Sequence, residues 1–321
     1  MVDSSAVREP PGGLSRRVWE ALACPGCHAD LRAEDDGVVC VGCGLRYLTP
    51  GGRPDFRPRA ATRVVVEHQV GLRDDSSIDR IGPLQPRLGS ANDPGVIQWT
   101  SRELSGCRMT PALFTHLPDV LPGGGLLLDL GCGNGVYAPL LKTIGFEYVG
   151  MDIEGAAAEV LGDAHQPPFR DASIDAVAAI SLLEHLRTPS VALREICRVL
   201  RPGGTLIGTV AFMEPFHQES YFHHSHLGTI EALEDAGFDV MVVSPATDWP
   251  GLHGIAEMGL FAGLPGIVGR TMVLPVEVMH RAWWRVGLRL GRVPASKLDR
   301  LVLMPGGFRF VARRPSEGGR S

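Results

Sequence analysis

The chain has 321 residues, a formal net charge of −5 and a sequence pI near 6.1, with 44% hydrophobic and 21% charged residues. That length accommodates one large domain and a small module, each with its own core. The acidic balance offers no basic field for a polyanion, which argues against bulk nucleic-acid binding. Lysine occurs only at Lys142 and Lys297, and arginine carries the remaining positive charge. No basic n-region followed by an apolar core opens the chain, so a secretory signal is not expected and a reducing cytoplasm is.

The first element is a cysteine framework. Cys24-Pro25-Gly26-Cys27 and Cys40-Val41-Gly42-Cys43 form two C-x2-C knuckles separated by twelve residues, in a segment of short strands and turns. Two thiolates from each knuckle complete a closed tetrahedral site, so Cys24, Cys27, Cys40 and Cys43 are the expected ligands of a structural zinc ion. Disulfides are the competing reading, disfavoured in a reducing compartment. Cys107, Cys132 and Cys197 have no such pattern and read as small buried side chains. Residues 22–58, from Leu22 through Tyr47-Leu48-Thr49-Pro50 to Pro54-Asp55-Phe56, resemble the small Trm112-like zinc ribbons. A module of this size buries too little apolar surface to fold alone, so metal and docking must hold it together. Its expected role is structural or substrate-gating; Glu34-Asp35-Asp36 in the spacer and the lack of a basic cluster speak against RNA.

A ribbon over 1–58 is followed by a connector over 59–120, rich in Arg, Asp, Ser, Gly and Pro. Its last part is expected to cover the cofactor. Trp99 or Phe114 would then touch ligand, unless each is a core aromatic anchoring the connector.

The main domain, 121–321, begins with Leu126-Leu127-Leu128-Asp129-Leu130, an apolar strand that runs into Gly131-Cys132-Gly133-Asn134-Gly135. Glycines there permit a sharp turn, close approach of a ligand to bare backbone, and the start of a helix. Tyr148-Val149-Gly150-Met151-Asp152 reads as a second strand ending in an acid. Gly162-Asp163-Ala164, Ser173-Ile174-Asp175-Ala176-Val177 and Leu200-Arg201-Pro202-Gly203-Gly204 follow in order.

On these motifs, residues 120–245 resemble the class I S-adenosylmethionine-dependent methyltransferases of the type 11-like group, some of which carry a fused Trm112-like ribbon. An NAD-binding doubly wound domain shares strand, loop and acid, but the G-x-G-x-x-G spacing is absent. The resemblance implies that Asp152 binds the ribose hydroxyls and that Asp129 lies near the methionine amino group. Asp163 and Ala164 would edge the adenine and Ile153 would cover one face of it. Gly131, Cys132, Gly133, Asn134, Gly135 and Ser181 complete the cofactor set.

The implied fold is α/β, a seven-stranded Rossmann-like sheet. Strands are expected at 126–130, 148–152, 158–161, 174–180, 205–210, 238–243 and 307–313. Helices are expected at 136–144, 190–200 and 227–236, the last with Ser225 as N-cap and Gly237 just past its end. Between Asp152 and Asp163 there is too little chain for a crossover helix. An insertion near 246–305 separates the last two strands, far longer than a hairpin loop. No uninterrupted apolar span of membrane length occurs in it. Trp283-Trp284 among Arg281, Arg285, Arg289 and Arg292 is open to two readings: a peripheral helix on anionic lipid, or packing over the sheet or against a second subunit.

The acceptor side belongs beyond strands four and five. Ser181-Leu182-Leu183-Glu184-His185 follows the former. Phe212-Met213-Glu214-Pro215-Phe216-His217 and Ser220-Tyr221-Phe222-His223-His224-Ser225-His226 follow the latter, so four of eleven histidines fall within ten residues. His217, His223 or His224, with His185 a weaker candidate, is expected either to deprotonate a hydroxyl or to join Glu214 or Glu219 around a second divalent metal. The expected activity is methyl transfer to a hydroxyl oxygen of a small molecule such as a secondary metabolite or glycan precursor. RNA modification and a cofactor-binding interaction protein are the alternatives.

Overall fold

The computed structural model describes residues 10–58, 113, 124–246, 249–293 and 303–316. Trp99, Cys107, Phe114 and the connector, apart from Leu113, lie outside the described residues, so the lid expectation does too.

The ribbon consists of a short helix, Arg16–Ala21 (α1), capped by Ser15, and three antiparallel strands, Leu31–Glu34 (β1), Gly37–Cys40 (β2) and Arg46–Tyr47 (β3). The main sheet contains Leu126–Leu130 (β4), Glu147–Asp152 (β5), Val160–Leu161 (β6), Ile174–Ile180 (β7), Leu200–Ala211 (β8), Asp239–Pro245 (β9) and Gly307–Arg313 (β10). Its order is β6-β5-β4-β7-β8-β10-β9, parallel except for β10, which is antiparallel to both neighbours. Strand order reverses at β4, so a crevice opens outside the carboxyl ends of β4, β5 and β7, where ligands bind in such sheets.

Alternation fills both faces of the sheet. Leu126, Leu128 and Leu130 join one buried cluster with Val149, Met151 and Val177, whereas Leu127 joins another with Tyr148, Ala176 and Ile180. Two main-domain helices match their expected places, Pro189–Val199 (α3) and His226–Asp235 (α4), and a shorter one, Ala138–Leu141 (α2), follows the glycine loop. In α3, Ala192, Leu193, Ile196 and Val199 form the buried stripe, and Pro189 starts it with its preset φ. Ser225 caps α4 by accepting from the Gly228 amide, and Gly237 leaves it at φ 95°.

Three expectations need correction. The helix expected at 136–144 is only α2 followed by a 3-10 turn to Ile144, because positive φ at Gly131, Gly133 and Gly135 keeps the preceding residues non-helical and Gly145 ends the run at φ 88°. The third strand is two residues long rather than four, since 153–159 serves as the connection. The fifth begins at Leu200, its pairing with β7 resuming after a register shift around Gly203.

The ribbon is not a separate bead. Leu22, Cys24, Val38, Tyr47 and Phe56 belong to the same buried cluster as β4, β5 and β7. Beyond β6, the Leu161 amide donates to Pro54 and the Phe56 amide donates to Leu161, so the ribbon tail prolongs the sheet edge. Arg53 Nη1 donates to the carbonyls of Gly155, Ala156 and Ala158 at 3.1–3.3 Å, and Arg57 Nη1 donates to that of Ile153. Where a crossover helix is missing, two arginines of the ribbon tail hold the loop.

The insertion leaves from the opposite end of the sheet. Among the described residues it contains Gly251–Ile255 (α5), a single π-type turn over Ala256–Leu260, and a 24-residue helix, Gly266–Arg289 (α6). No helix among the described residues is long and apolar enough to cross a membrane.

Candidate active site

The crevice at the switch point is a cleft of about 820 Å³. On one side of β4 it is lined by Gly131, Cys132, Gly133, Asn134, Asp152, Ile153, Asp163, Ala164 and His165; on the other by Ser181, Leu182, His185, Arg187, His217, Gln218, Glu219 and Tyr221. Eleven residues expected to bind cofactor or act in catalysis therefore meet there, with Glu219 of the expected metal ligands. Asp129, Gly135, His223 and His224 are not among its lining residues.

The glycine loop is shaped by packing as well as by φ. A Cβ at Gly131 would come within 2.8 Å of Leu182, and one at Gly135 within 2.7 Å of Ala157, both at positive φ. Asp152 knits this loop to the next: its carboxylate accepts from the Gly133 amide at 2.8 Å and from the Glu154 and Gly155 amides at 2.9 Å. Beneath the loop Asp129 is buried and accepts from the Tyr148 hydroxyl at 2.9 Å. Burial raises its pKa to about 6, a rise that Tyr148 moderates and the Asp152 charge reinforces. Burial, with Asp129 and Asp152 nearby, pushes the Cys132 thiol up to about 12, so it is neutral rather than nucleophilic.

His165 was not anticipated. Its Nδ1 lies 2.7 Å from Asp163 Oδ1 while its Nε2 faces the Thr188 amide at 3.3 Å, the tautomer that donates to the carboxylate. Burial alone would raise Asp163, but the hydrogen bonds from the His165 ring and amide outweigh it and hold Asp163 below the ordinary carboxylate value. The one signal in the sequence is its place directly after Gly162-Asp163-Ala164.

On the acceptor side, the backbone is strained where it lines the cleft: Ser181, Gln218 and Glu219 all have positive φ. The Ser181 amide donates to Thr209 Oγ1 at 2.9 Å. The rings of His185 and His217 meet edge to face at 5.3 Å. His217 Nδ1 sits 2.9 Å from the Pro215 carbonyl, which can only accept, so Nδ1 carries the proton and Nε2 is left as the basic atom. That Nε2 is 3.7 Å from buried Glu214. Glu184, His185 and His217 each place one ligand atom within 4.8 Å of the others. His223 lies next to His217, with its ring 6.2 Å away and Nε2 3.5 Å from Ser220 Oγ. His224 packs on Phe222, and burial, then His223, lowers its pKa. His226 packs on Phe308 in the first turn of α4.

The four ribbon cysteines are free and mutually within 4.8 Å, with Cys24–Cys43 at 3.7 Å and Cys27–Cys40 at 3.4 Å. A tetrahedron of thiolates about 2.3 Å from a metal has edges of about 3.8 Å, so this cluster suits one. Burial would raise Cys40, but hydrogen bonds from the Cys43 amide, Cys27, Cys43 and the Gly42 amide bring it down to about 6, favouring the thiolate.

A sheet in this order, with a glycine loop after its first strand and an acid closing its second, defines the class I S-adenosylmethionine-dependent methyltransferase architecture. The family described as methyltransferase domain matches residues 128–208. A demethylmenaquinone methyltransferase from Beutenbergia cavernae is 30% identical over 177 residues, covering 50% of this chain and 73% of that protein. An uncharacterized methyltransferase from Mycobacterium sp. (strain KMS) is 31% identical over 130 residues, covering 36% of this chain and 52% of that protein. A tRNA (carboxymethyluridine(34)-5-O)-methyltransferase from Arabidopsis thaliana is 35% identical over 102 residues, covering 28% and 25%. The chain spans about half the length of the mycobacterial relatives it matches. It belongs to the class I S-adenosylmethionine-dependent methyltransferase family.

Proposed function

We propose that this chain transfers a methyl group from S-adenosylmethionine to a hydroxyl oxygen of a small molecule, of the secondary-metabolite or glycan-precursor class, in the cytoplasm. The observation that carries this reading is the single cleft uniting Asp152, Ile153, Asp163 and Ala164 with His185 and His217 across β4. When bound, S-adenosylmethionine supplies a methyl group already activated on a sulfonium. The protein then has two tasks, alignment and proton removal, and alignment can contribute up to ~7–11 kcal/mol. Asp152 offers a carboxylate to the ribose hydroxyls, and Asp163, held ionised by His165, edges the base. His217 Nε2 takes the acceptor's proton, and Glu214 at 3.7 Å stabilises the imidazolium that forms. The ribbon cysteines hold a structural zinc ion whose binding folds that module.

A second reading of the acceptor side has its own observation, the Glu184–His185–His217 group. These residues offer one carboxylate and two imidazoles, a donor set suited to a divalent transition metal that orients a hydroxyl and lowers its pKa. An RNA acceptor is favoured by the name of the plant relative and opposed by the net charge of −5.

His217→Asn tests the assignment. Turnover should fall at least a hundredfold with S-adenosylhomocysteine affinity unchanged, and His223→Asn should have the smaller effect. Equal activity in wild type and His217→Asn would overturn the base, and Mn2+ binding lost in the same variant would favour the metal reading. Methyl transfer to total tRNA, rather than to hydroxylated small molecules, would establish the RNA alternative.

A further inference from the structure

α6 is divided lengthwise into three stripes. Gly269, Val273, Glu277, Trp284 and Gly287 face the protein, at the spacing of one helix side. Glu277 anchors that side, with His253 Nε2 at 2.9 Å and Arg281 at 3.3 Å. On the outward side Val268, Met272, Met279, Trp283, Val286 and Leu290 follow at i, i+4, i+11, i+15, i+18 and i+22, all exposed, Met279 by 63% and Trp283 by 53%. At about 1.5 Å per residue this apolar stripe runs for roughly 33 Å. Isolated exposed apolar side chains are ordinary; six in line on one helix are an interaction surface.

Charge identifies its occupant. Arg281, Arg285 and Arg289 fall at i, i+4 and i+8, a row along the flank of the apolar stripe. From position 257 to 293 the chain has five arginines and two acids, Glu257 and Glu277, which pair with Arg270 and Arg281 and leave Arg285, Arg289 and Arg292 as surplus positive charge. The chain as a whole is acidic, at −5, so this is a local reversal of sign. A second copy of the same helix would bring two rows of arginine together. A surface of anionic headgroups above acyl chains complements both stripes at once, with tryptophan at the boundary between them.

We propose that α6 docks flat on an anionic lipid bilayer, the Met279–Trp283 stripe entering the headgroup boundary and the arginine row lying against the phosphates. The helix does not cross the membrane. The π-type turn that leads into α6 carries Met258, which lines the cleft, so the docking surface and the reaction cleft belong to one insertion.

The test is co-sedimentation of the full chain with vesicles of phosphatidylglycerol or of phosphatidylcholine alone. Phosphatidylglycerol vesicles should carry down the protein at least tenfold more strongly, and the preference should fade as salt rises. Met279→Glu with Trp283→Glu should abolish sedimentation, and Arg285→Gln with Arg289→Gln should weaken it about tenfold. S-adenosylhomocysteine binding should be unchanged in both pairs, so failure here is separable from failure of the methyltransferase reading. Absence of vesicle binding, equal binding to both vesicle types, or a dimer in solution dissolved by Met279→Glu with Trp283→Glu would overturn the proposal.

Discussion

The two ends of the sheet carry additions of opposite character. At the β6 end, the ribbon shares a continuous buried cluster with the sheet, prolongs its edge by backbone pairing and clamps the 153–158 loop through Arg53. At the β9 and β10 end, α6 packs through Gly269, Val273, Glu277, Trp284 and Gly287 on the insertion's own α5 and π-type turn and turns a row of methionine, valine and tryptophan outward. Stabilising the fold and its cofactor loop falls to the first. The second contributes surface. Substitutions at the two ends should therefore differ in kind: stability and cofactor affinity at the ribbon, association at the helix.

The largest effect should come from removing the zinc proposed for the ribbon cysteines. Binding of a structural zinc by four thiolates is worth ~10–16 kcal/mol in small zinc modules. Because Cys24, Val38, Tyr47 and Phe56 lie in the main cluster, Cys24→Ser or stripping the metal with a chelator should lower the melting transition of the whole chain and weaken S-adenosylhomocysteine binding with it. A ribbon that melts alone, leaving cofactor affinity intact, would break the contrast between the two ends.

Next in size is Phe56→Ala. This buried ring packs on Tyr47 at 4.8 Å, and its loss should cost about 3–5 kcal/mol in urea unfolding. On the outward stripe, Met279→Ser should change stability by no more than about 0.5 kcal/mol. A comparable loss at both sites would show that α6 is buried in solution.

Asp129 gives a pH-dependent prediction of similar scale. Its folded pKa, about 6, exceeds the unfolded value near 3.8, so the native state binds the proton more tightly. Its stabilising contribution is complete below about pH 4 and lost as pH rises through 6, amounting to ~3 kcal/mol. Wild type should therefore lose stability relative to Asp129→Asn, which cannot titrate, as pH rises from about 4 to 6; a melting-temperature difference that stays constant across that window would overturn the assignment.

Arg53→Ala should have a smaller effect than the zinc, Phe56 and Asp129 changes. Loss of its carbonyl contacts to a partly exposed loop should weaken S-adenosylhomocysteine binding by about 1 kcal/mol, roughly fivefold by calorimetry, with little change in melting. No change would mean the loop is ordered without the ribbon tail.

The difference between the ends also marks what the sequence disclosed. Leu126–Leu130, Asp152 and the paired cysteine knuckles were legible because each is a local pattern: an apolar run, a strand-end acid, a fixed ligand spacing. Arg53 and Arg57 were not, since their carbonyl partners lie about a hundred residues away and an arginine in a Pro-Gly tail looks solvated. His165, directly after the Gly162-Asp163-Ala164 motif, carried no role in the sequence because its second partner, the Thr188 amide, is supplied by the fold. Conversely, the histidine-rich run suggested one shared site, yet a sharp turn at Gln218 and Glu219 sends His217 to the cleft while His224 packs beneath and His226 enters α4. Met258 reaches the cleft from an insertion whose path no local pattern specifies.

The central claim is that the cleft across β4 binds the methyl donor through Asp152. Calorimetric titration of zinc-replete protein with S-adenosylhomocysteine tests it most directly. One site per chain should be found, and Asp152→Ala should weaken it at least tenfold while retaining a cooperative melting transition, since each charge-assisted bond to a ribose hydroxyl contributes ~1.5–3 kcal/mol. No binding by the folded wild-type chain, or equal affinity in a folded Asp152→Ala variant, would contradict it.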